Sequence, residues 1–428
     1  MGQLQEGGRL ASSQTPVPDT DANIDELIAR ARKLAPVLRE AAANEERERR
    51  VSEETIREAE FFFPTLVPRV WGGRGLGLRA HCEVTRELAH GDPSAAWTIS
   101  FMMQHNWMAC RLATMEAQAE LFAQQPFIRA AAPLNPTGTA ERVEGGFRVS
   151  GRFPYASAIW NSDWTLLHAK VPEDGSYVLM VPVSDVTVND DWFMSGMAAT
   201  GSSTVMAESV FVPERMCISF DRFVSADRHR GVTHEEPYMR YPFLAAVDYT
   251  SPSVALGAAE ACVEIARERL HVAKVFGTTP RVDLPLSRVR WAMALQRVKC
   301  AQLLWRSSIA RTIELSESGE WTDPDFGHSG LDSMTVVQLS QEAISLVCDG
   351  MGSSAYQLSD PLQRYRRDID VVANHRAHDH DTVADASTRA ILGISENAAD
   401  LFAGRAPVGA VDAAQRAGEA DDSGGRAR

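Results

Sequence analysis

The hydrophobic period of this chain changes twice, and nothing else in the sequence restricts its fold as strongly. From Ile24 to about Glu120 apolar residues recur every three or four positions, as in IDELIARARKLAPVLREAAANEERERR. That spacing predicts amphipathic helices. From about Pro126 to Phe220 the period drops to two, in short runs such as GGFRVSGRF, WTLLHAKV and STVMAESVFVP. These runs are rich in Val, Phe, Tyr and Thr and end in Gly, Asp or Asn, which predicts four to seven antiparallel strands. From about Asp248 the helical period returns and persists to Ala403. Helices, then strands, then helices exclude an alternating βαβ chain. No GxGxxG or GxxxxGK[ST] stands between a strand and a helix, so a Rossmann or P-loop site is not expected.

The expected organisation is a disordered terminus at 1–22, a helical domain at 23–125 and a β-domain at 126–222. A connecting loop at 223–247, a helical bundle at 248–403 and a disordered tail at 404–428 follow. Within the first helical part, WTISFMMQHNWMACRL is apolar on nearly every face and should be buried on all sides.

Charge narrows the function. With 43 Lys+Arg against 57 Asp+Glu the net charge is −14, opposite to a nucleic-acid footprint. No apolar run reaches the roughly 18–20 residues that span a bilayer, and the first residues lack the basic start and apolar core of a signal peptide. A soluble cytoplasmic protein is expected. The six cysteines lie tens of residues apart with no CxxC, so buried thiols are expected rather than a disulfide frame or metal site.

Five segments in order, PRVWGG, GRFPYASAIWNSDW, GMAATGSSTV, FVPER and GMGSSAYQLSDPLQRYRRD, resemble the acyl-CoA dehydrogenase superfold over roughly residues 24–403. Within it the chain is similar to two-component flavin-dependent monooxygenases. Examples are the oxygenase of p-hydroxyphenylacetate hydroxylase, dibenzothiophene monooxygenase and aromatic-polyketide hydroxylases. The resemblance implies a mainly α, α+β architecture: an N-terminal helical domain, a central antiparallel β-domain and a C-terminal four-helix bundle. It also implies a homotetramer with flavin between the β-domain and helices of two subunits. Reduced flavin and O2 would form a C4a-hydroperoxyflavin that hydroxylates an aromatic or polycyclic phenolic small molecule. A separate NAD(P)H-flavin reductase would supply the flavin.

The resemblance also assigns residues. Many dehydrogenases of this superfold carry a Glu base after the PLxRxxRD segment; here the slot nine residues after Arg367 holds Arg376, and a guanidinium cannot act as a base at neutral pH. Oxygenase relatives carry a histidine at the His375 slot, where a neutral imidazole helps move the proton that forms the hydroperoxide. A plain surface histidine is the other reading.

His105, eight residues after Trp97, matches a pocket pair lining flavin and substrate, with Trp107 beside it as a substrate contact. A core histidine on an apolar helix is its alternative. In FPYAS the resemblance gives Tyr155 and Ser157 as flavin contacts, Ser157 facing the N5 region; otherwise Ser157 is a turn serine. Thr200, with Trp192, Gly201 and Ser202, belongs to a stretch near the flavin, or satisfies strand backbone. In the loop from Gly350 to Ser354, Ser353 and Ser354 would reach a flavin held mainly by the neighbouring subunit.

An Arg common in FAD-binding dehydrogenases is replaced by Ala273, which favours reduced FMN over FAD and leaves Arg281 as another phosphate cation. N- or S-oxygenation by the same intermediate, and acyl-CoA dehydrogenation, remain the alternatives.

Overall fold

The computed structural model describes residues 21–224, 234–272, 274–275 and 277–394. Ala273 and both expected disordered ends, apart from Asp21 and Ala22, lie outside the described residues, as does part of the 223–247 connection.

Helices come first: α1 (Asp21–Glu48), α2 (Glu53–Ala59), α3 (Leu78–Ala89), α4 (Pro93–Leu112) and α5 (Met115–Leu121). Strands follow: β1 (Ala130–Ala131), β2 (Gly138–Val143), β3 (Gly146–Phe153), β4 (Trp164–Val171), β5 (Gly175–Pro182), β6 (Thr187–Asn189), β7 (Thr204–Pro213) and β8 (Cys217–Ser219). Short α6 (Phe220–Val224) and α7 (Phe243–Val247) lead to the long α8 (Thr250–Val272), α9 (Pro285–Ser318) and α10 (Asp323–Met351). The described chain closes with α11 (Pro361–Ala373) and α12 (His380–Ile391).

The eight strands form one sheet in the order β6-β7-β3-β2-β4-β5-β8, with β1 also on β4. The sheet is mixed, which corrects the all-antiparallel expectation. β4 pairs in parallel with both β1 (Ala130 opposite Trp164) and β2 (Gly138 opposite Ala169). β3 runs back antiparallel to β2 after the hairpin at Glu144–Gly145, and the connection over 154–163 then lays β4 on the other side of β2, in β2's own sense. Two bundle details also differ from expectation. Gly350 and Met351 are still helical, so the loop starts at Gly352, and α12 adds a helix beyond the one foreseen near Leu362.

Helix α4 sits at the centre. Of its 20 residues only Phe101 is not fully buried. Asp92 caps its first turn, accepting the Ala95 N–H at 2.8 Å, and Pro93 occupies the first helical position, where no N–H is needed. A helix so enclosed must pair its own polar groups internally. Asn106 does this with the backbone before β1: its Oδ1 accepts the Ile128 N–H at 2.7 Å and its Nδ2 donates to Ile128 O at 2.9 Å. This two-way clamp fixes β1 alongside α4.

Asn106→Ala should therefore strand a buried N–H and C=O together and lower stability by about 2–4 kcal/mol. Urea unfolding reads it; a loss below about 0.5 kcal/mol would show that the clamp is idle.

Candidate active site

One face of α4 carries an aromatic row at four-residue spacing, and Phe101 in its middle is the one residue of the helix that is not buried. The Trp97 and Phe101 rings lie 4.7 Å apart, and Phe101 stacks on His105 at 5.1 Å. Successive i, i+4 positions place all three on one face. The His105 Nδ1 is 2.6 Å from Ala130 O on β1. A carbonyl only accepts, so Nδ1 carries the proton and Nε2 is left as a lone-pair acceptor. Burial pushes the His105 pKa down to about 4, which keeps the ring neutral near pH 7.

The Trp97 indole points to a second element. Its Nε1 donates to Ser157 Oγ at 3.3 Å, in the turn after β3. Ser157 Oγ lies 2.7 Å from Ser202 Oγ, which lies 2.6 Å from Thr200 Oγ1, and Thr200 donates to Met197 O at 2.8 Å. Both turns hold non-glycine residues in the left-handed region: Tyr155 (φ 64°), Ala158 (φ 67°) and Met197 (φ 53°). Such conformations cost about 1–3 kcal/mol each and cluster at functional sites. Gly201 (φ 53°) has no room for a side chain, since a Cβ there would sit 2.7 Å from Trp160 Cδ1.

Helix α11 supplies the third element. Asp368 Oδ1 accepts the Met197 N–H at 2.5 Å, and Arg367 donates to Ser195 O. The backbones meet so closely that a Cβ on Gly196 would lie 2.0 Å from Arg367 O. Just past the end of α11, the His375 ring stands edge-on to Trp97 at 5.5 Å. Its side chain is exposed to solvent, with protein close around it on the Trp97 and His378 sides. That surrounding protein, and then the Arg376 charge, lower its pKa. His378 behind it is buried, and burial pushes its pKa down to about 3.

Thus Trp97, Ser157, Thr200 and His375 come together, with His105 at the far end of the same row. The remaining expectations fall elsewhere. Trp107 is a correction: it is fully buried on another face of α4, donating to Tyr238 O at 3.0 Å and packed on Tyr238 and Phe243. Two residues past His105 is about 200° round the helix, so it cannot share that histidine's face.

Tyr155 is mostly exposed, edge-on to Trp192 at 6.0 Å. Ser353 and Ser354 are exposed in a turn before α11, whose 13 residues separate them from His375 by about 20 Å. Arg281 donates to Gly350 O and Met351 O, capping α10 rather than pointing free. Arg376 donates to Asn135 at 3.0 Å.

The profile of the acyl-CoA dehydrogenase C-terminal domain matches residues 249–380. A pigment production hydroxylase from Rhodococcus sp. is 29% identical, covering 87% of this chain and 97% of its own. The oxygenase component of an FADH2-dependent resorcinol hydroxylase from Rhizobium sp. is 27% identical, covering 89% and 98%. The solved structure of XiaF from Streptomyces sp., in complex with FADH2 and glycerol, is 27% identical with a TM-score of 0.81, covering 87% and 96%. The chain is a flavin-dependent oxygenase of the acyl-CoA dehydrogenase superfold.

The donor set of this oxygenase fits a flavin ring. An indole edge, the Ser157 hydroxyl and an imidazole come together, and no carboxylate hydrogen-bonds to the side chains of Trp97, His105, Ser157 or His375 among the described residues. A polarised heteroaromatic ring can meet each of these groups without burying a charge against it.

Acid should unfold the protein partly through His105. Its folded pKa of about 4 lies below the unfolded value of about 6.5. The neutral ring's stabilisation is therefore full above pH 6.5 and is lost as pH falls toward 4. Each such group contributes a slope of about 1.4 kcal/mol per pH unit in that window. His105→Gln should flatten the pH dependence of the urea midpoint by that amount between pH 6.5 and 4.5; an unchanged slope would contradict the buried neutral ring.

Proposed function

We propose that the oxygenase hydroxylates a phenolic aromatic small molecule, and the observation that carries this is the free Nε2 of His105. Fixed as an acceptor by the Ala130 carbonyl, it suits a substrate that presents an O–H. A thioether sulfur has no proton to give it, which favours phenol hydroxylation over S-oxygenation. The α-deprotonation of an acyl-CoA would need a carboxylate that contacts none of these groups. Relatives named for hydroxylating resorcinol and p-hydroxyphenylacetate support a phenolic substrate.

Magnitudes set when His105 takes the proton. Moving a proton from a phenol of pKa about 10 to an imidazole of pKa about 4 in the resting complex would cost about 8 kcal/mol. His105 therefore holds the phenol by a hydrogen bond and accepts the proton late, as the attacked ring becomes acidic. Bound reduced flavin supplies the oxygen-activating chemistry, as FMN or FAD. Ser157 and Trp97 would orient the flavin ring, and the neutral His375 would move a proton at its edge while the cleft limits water.

A separate reductase supplies the reduced flavin. The exposed Leu286, Val289, Met293 and Leu303 along α9 support assembly into a homotetramer. Ser353 and Ser354, remote from their own subunit's His375, would then serve a neighbour's flavin.

Enzyme, a separate flavin reductase, NADH and resorcinol as probe phenol should give hydroxylated product. His105→Asn should lower product formation by about 10²–10⁴ while flavin reoxidation continues and oxygen leaves as hydrogen peroxide. Tightly coupled NADH oxidation by the chain alone, or full coupling in the variant, would overturn the proposal.

A further inference from the structure

The hydroxyl chain behind Ser157 has a direction, and it follows from counting protons. Met197 O can only accept, so Thr200 spends its single hydroxyl proton there. Thr200 must then accept from Ser202, which spends its own proton in doing so. Ser202 in turn must accept from Ser157. Ser157 also receives the Trp97 N–H, an indole being a donor only. One lone pair is left on Ser157 Oγ, and no proton.

The end of this chain is anchored. The Met197 peptide is held on both sides, its N–H by Asp368 and its carbonyl also by Trp192 Nε1 at 2.9 Å. Reversing the three hydroxyls is possible only by setting Thr200 Oγ1 against Met197 O with no proton between them. That forfeits one buried hydrogen bond, a bias of about three- to tenfold.

We infer that Thr200 and Ser202 fix Ser157 as a hydrogen-bond acceptor and so select reduced over oxidised flavin. This rests on the reading that the flavin N5 edge meets Ser157. Reduced flavin carries a proton on N5 and donates to the waiting lone pair. Oxidised N5 is a bare lone pair, so two acceptors face each other unless the chain reverses. Thr200 is a positioning residue for cofactor redox state, acting through Ser202 and without touching the flavin. The selection helps a diffusible cofactor: reduced flavin is retained and spent oxidised flavin is released.

The test is a set of equilibrium titrations of the full chain with FMN, and in parallel FAD. The oxidised forms are followed by fluorescence in air and the dithionite-reduced forms anaerobically by absorbance. Wild type should prefer the reduced form. Thr200→Val deprives Ser202 of its acceptor, so Ser202 turns its proton to Ser157 and Ser157 can donate to oxidised N5. Oxidised flavin should then bind about three- to tenfold tighter than in wild type, a gain that general damage to the fold would not produce.

Ser202→Ala should shift binding the same way, and guards against misfolding of the valine variant. Thr200→Ser, which keeps the hydroxyl, should restore the wild-type preference. Equal weakening of both redox forms, or no change in their ratio, in both Thr200→Val and Ser202→Ala would overturn the inference alone. Failure of wild type to bind either flavin in either redox state would overturn the flavin-site reading beneath it as well.

Discussion

Helix α4 has no polar face, and the rest of the molecule is arranged to enclose it. A helix of this length buried on every side must be covered by several elements at once: α3 and α8 pack on it, and β1 is clamped to it by Asn106. The enclosure has one gap, at Phe101, between Trp97 and His105. The proposed site sits at that gap, where a buried helix offers what catalysis needs: side chains held in one rotamer by packing, with water kept from all but one face.

The parts that meet this face come from distant sequence, and each is tied by a hydrogen bond whose direction chemistry dictates. Ala130 O sets the His105 tautomer from β1. Asp368 holds the Met197 turn from α11, and that turn sets the polarity of Thr200, Ser202 and Ser157. The same carbonyl logic therefore acts at both ends of the row. It leaves one acceptor at His105, which would meet the proposed phenol, and one at Ser157, which would meet the proposed flavin. Neither effect needs a charged group, which suits a region where burial lowers the pKa of His105 and His378.

Much of this was legible in the sequence, for particular physical reasons. The change from a period of about 3.6 to 2 and back located the sheet, because each period answers to one backbone geometry. Trp97 and His105 were paired by the resemblance, and the helix agrees, since positions i, i+4 and i+8 stay within an arc of about 80°. The same wheel argument would have removed Trp107, which the resemblance had drawn in. Nothing local reveals that β4 runs parallel to β1 and β2, because that depends on where a long connection returns. The roles of Asp368 and of the Thr200–Ser202 pair were likewise hidden. Asp368 stood in sight at the end of PLQRYRRD, but its partner is the Met197 N–H, 171 residues away. Hydroxyl polarity emerges only once turns 45 residues apart are brought together.

Trp97, Ser157 and His375 would together receive the flavin ring, with His105 beyond Phe101. An anaerobic crystal structure of the protein with reduced flavin tests it most directly. The ring is expected against Trp97, with its N5 edge within hydrogen-bonding distance of Ser157 Oγ and the His105 Nε2 facing the space beside it. A ring seated on the Ser353–Ser354 turn of the same subunit that also carries its own His375 contacts, or one leaving Ser157 untouched, would contradict it.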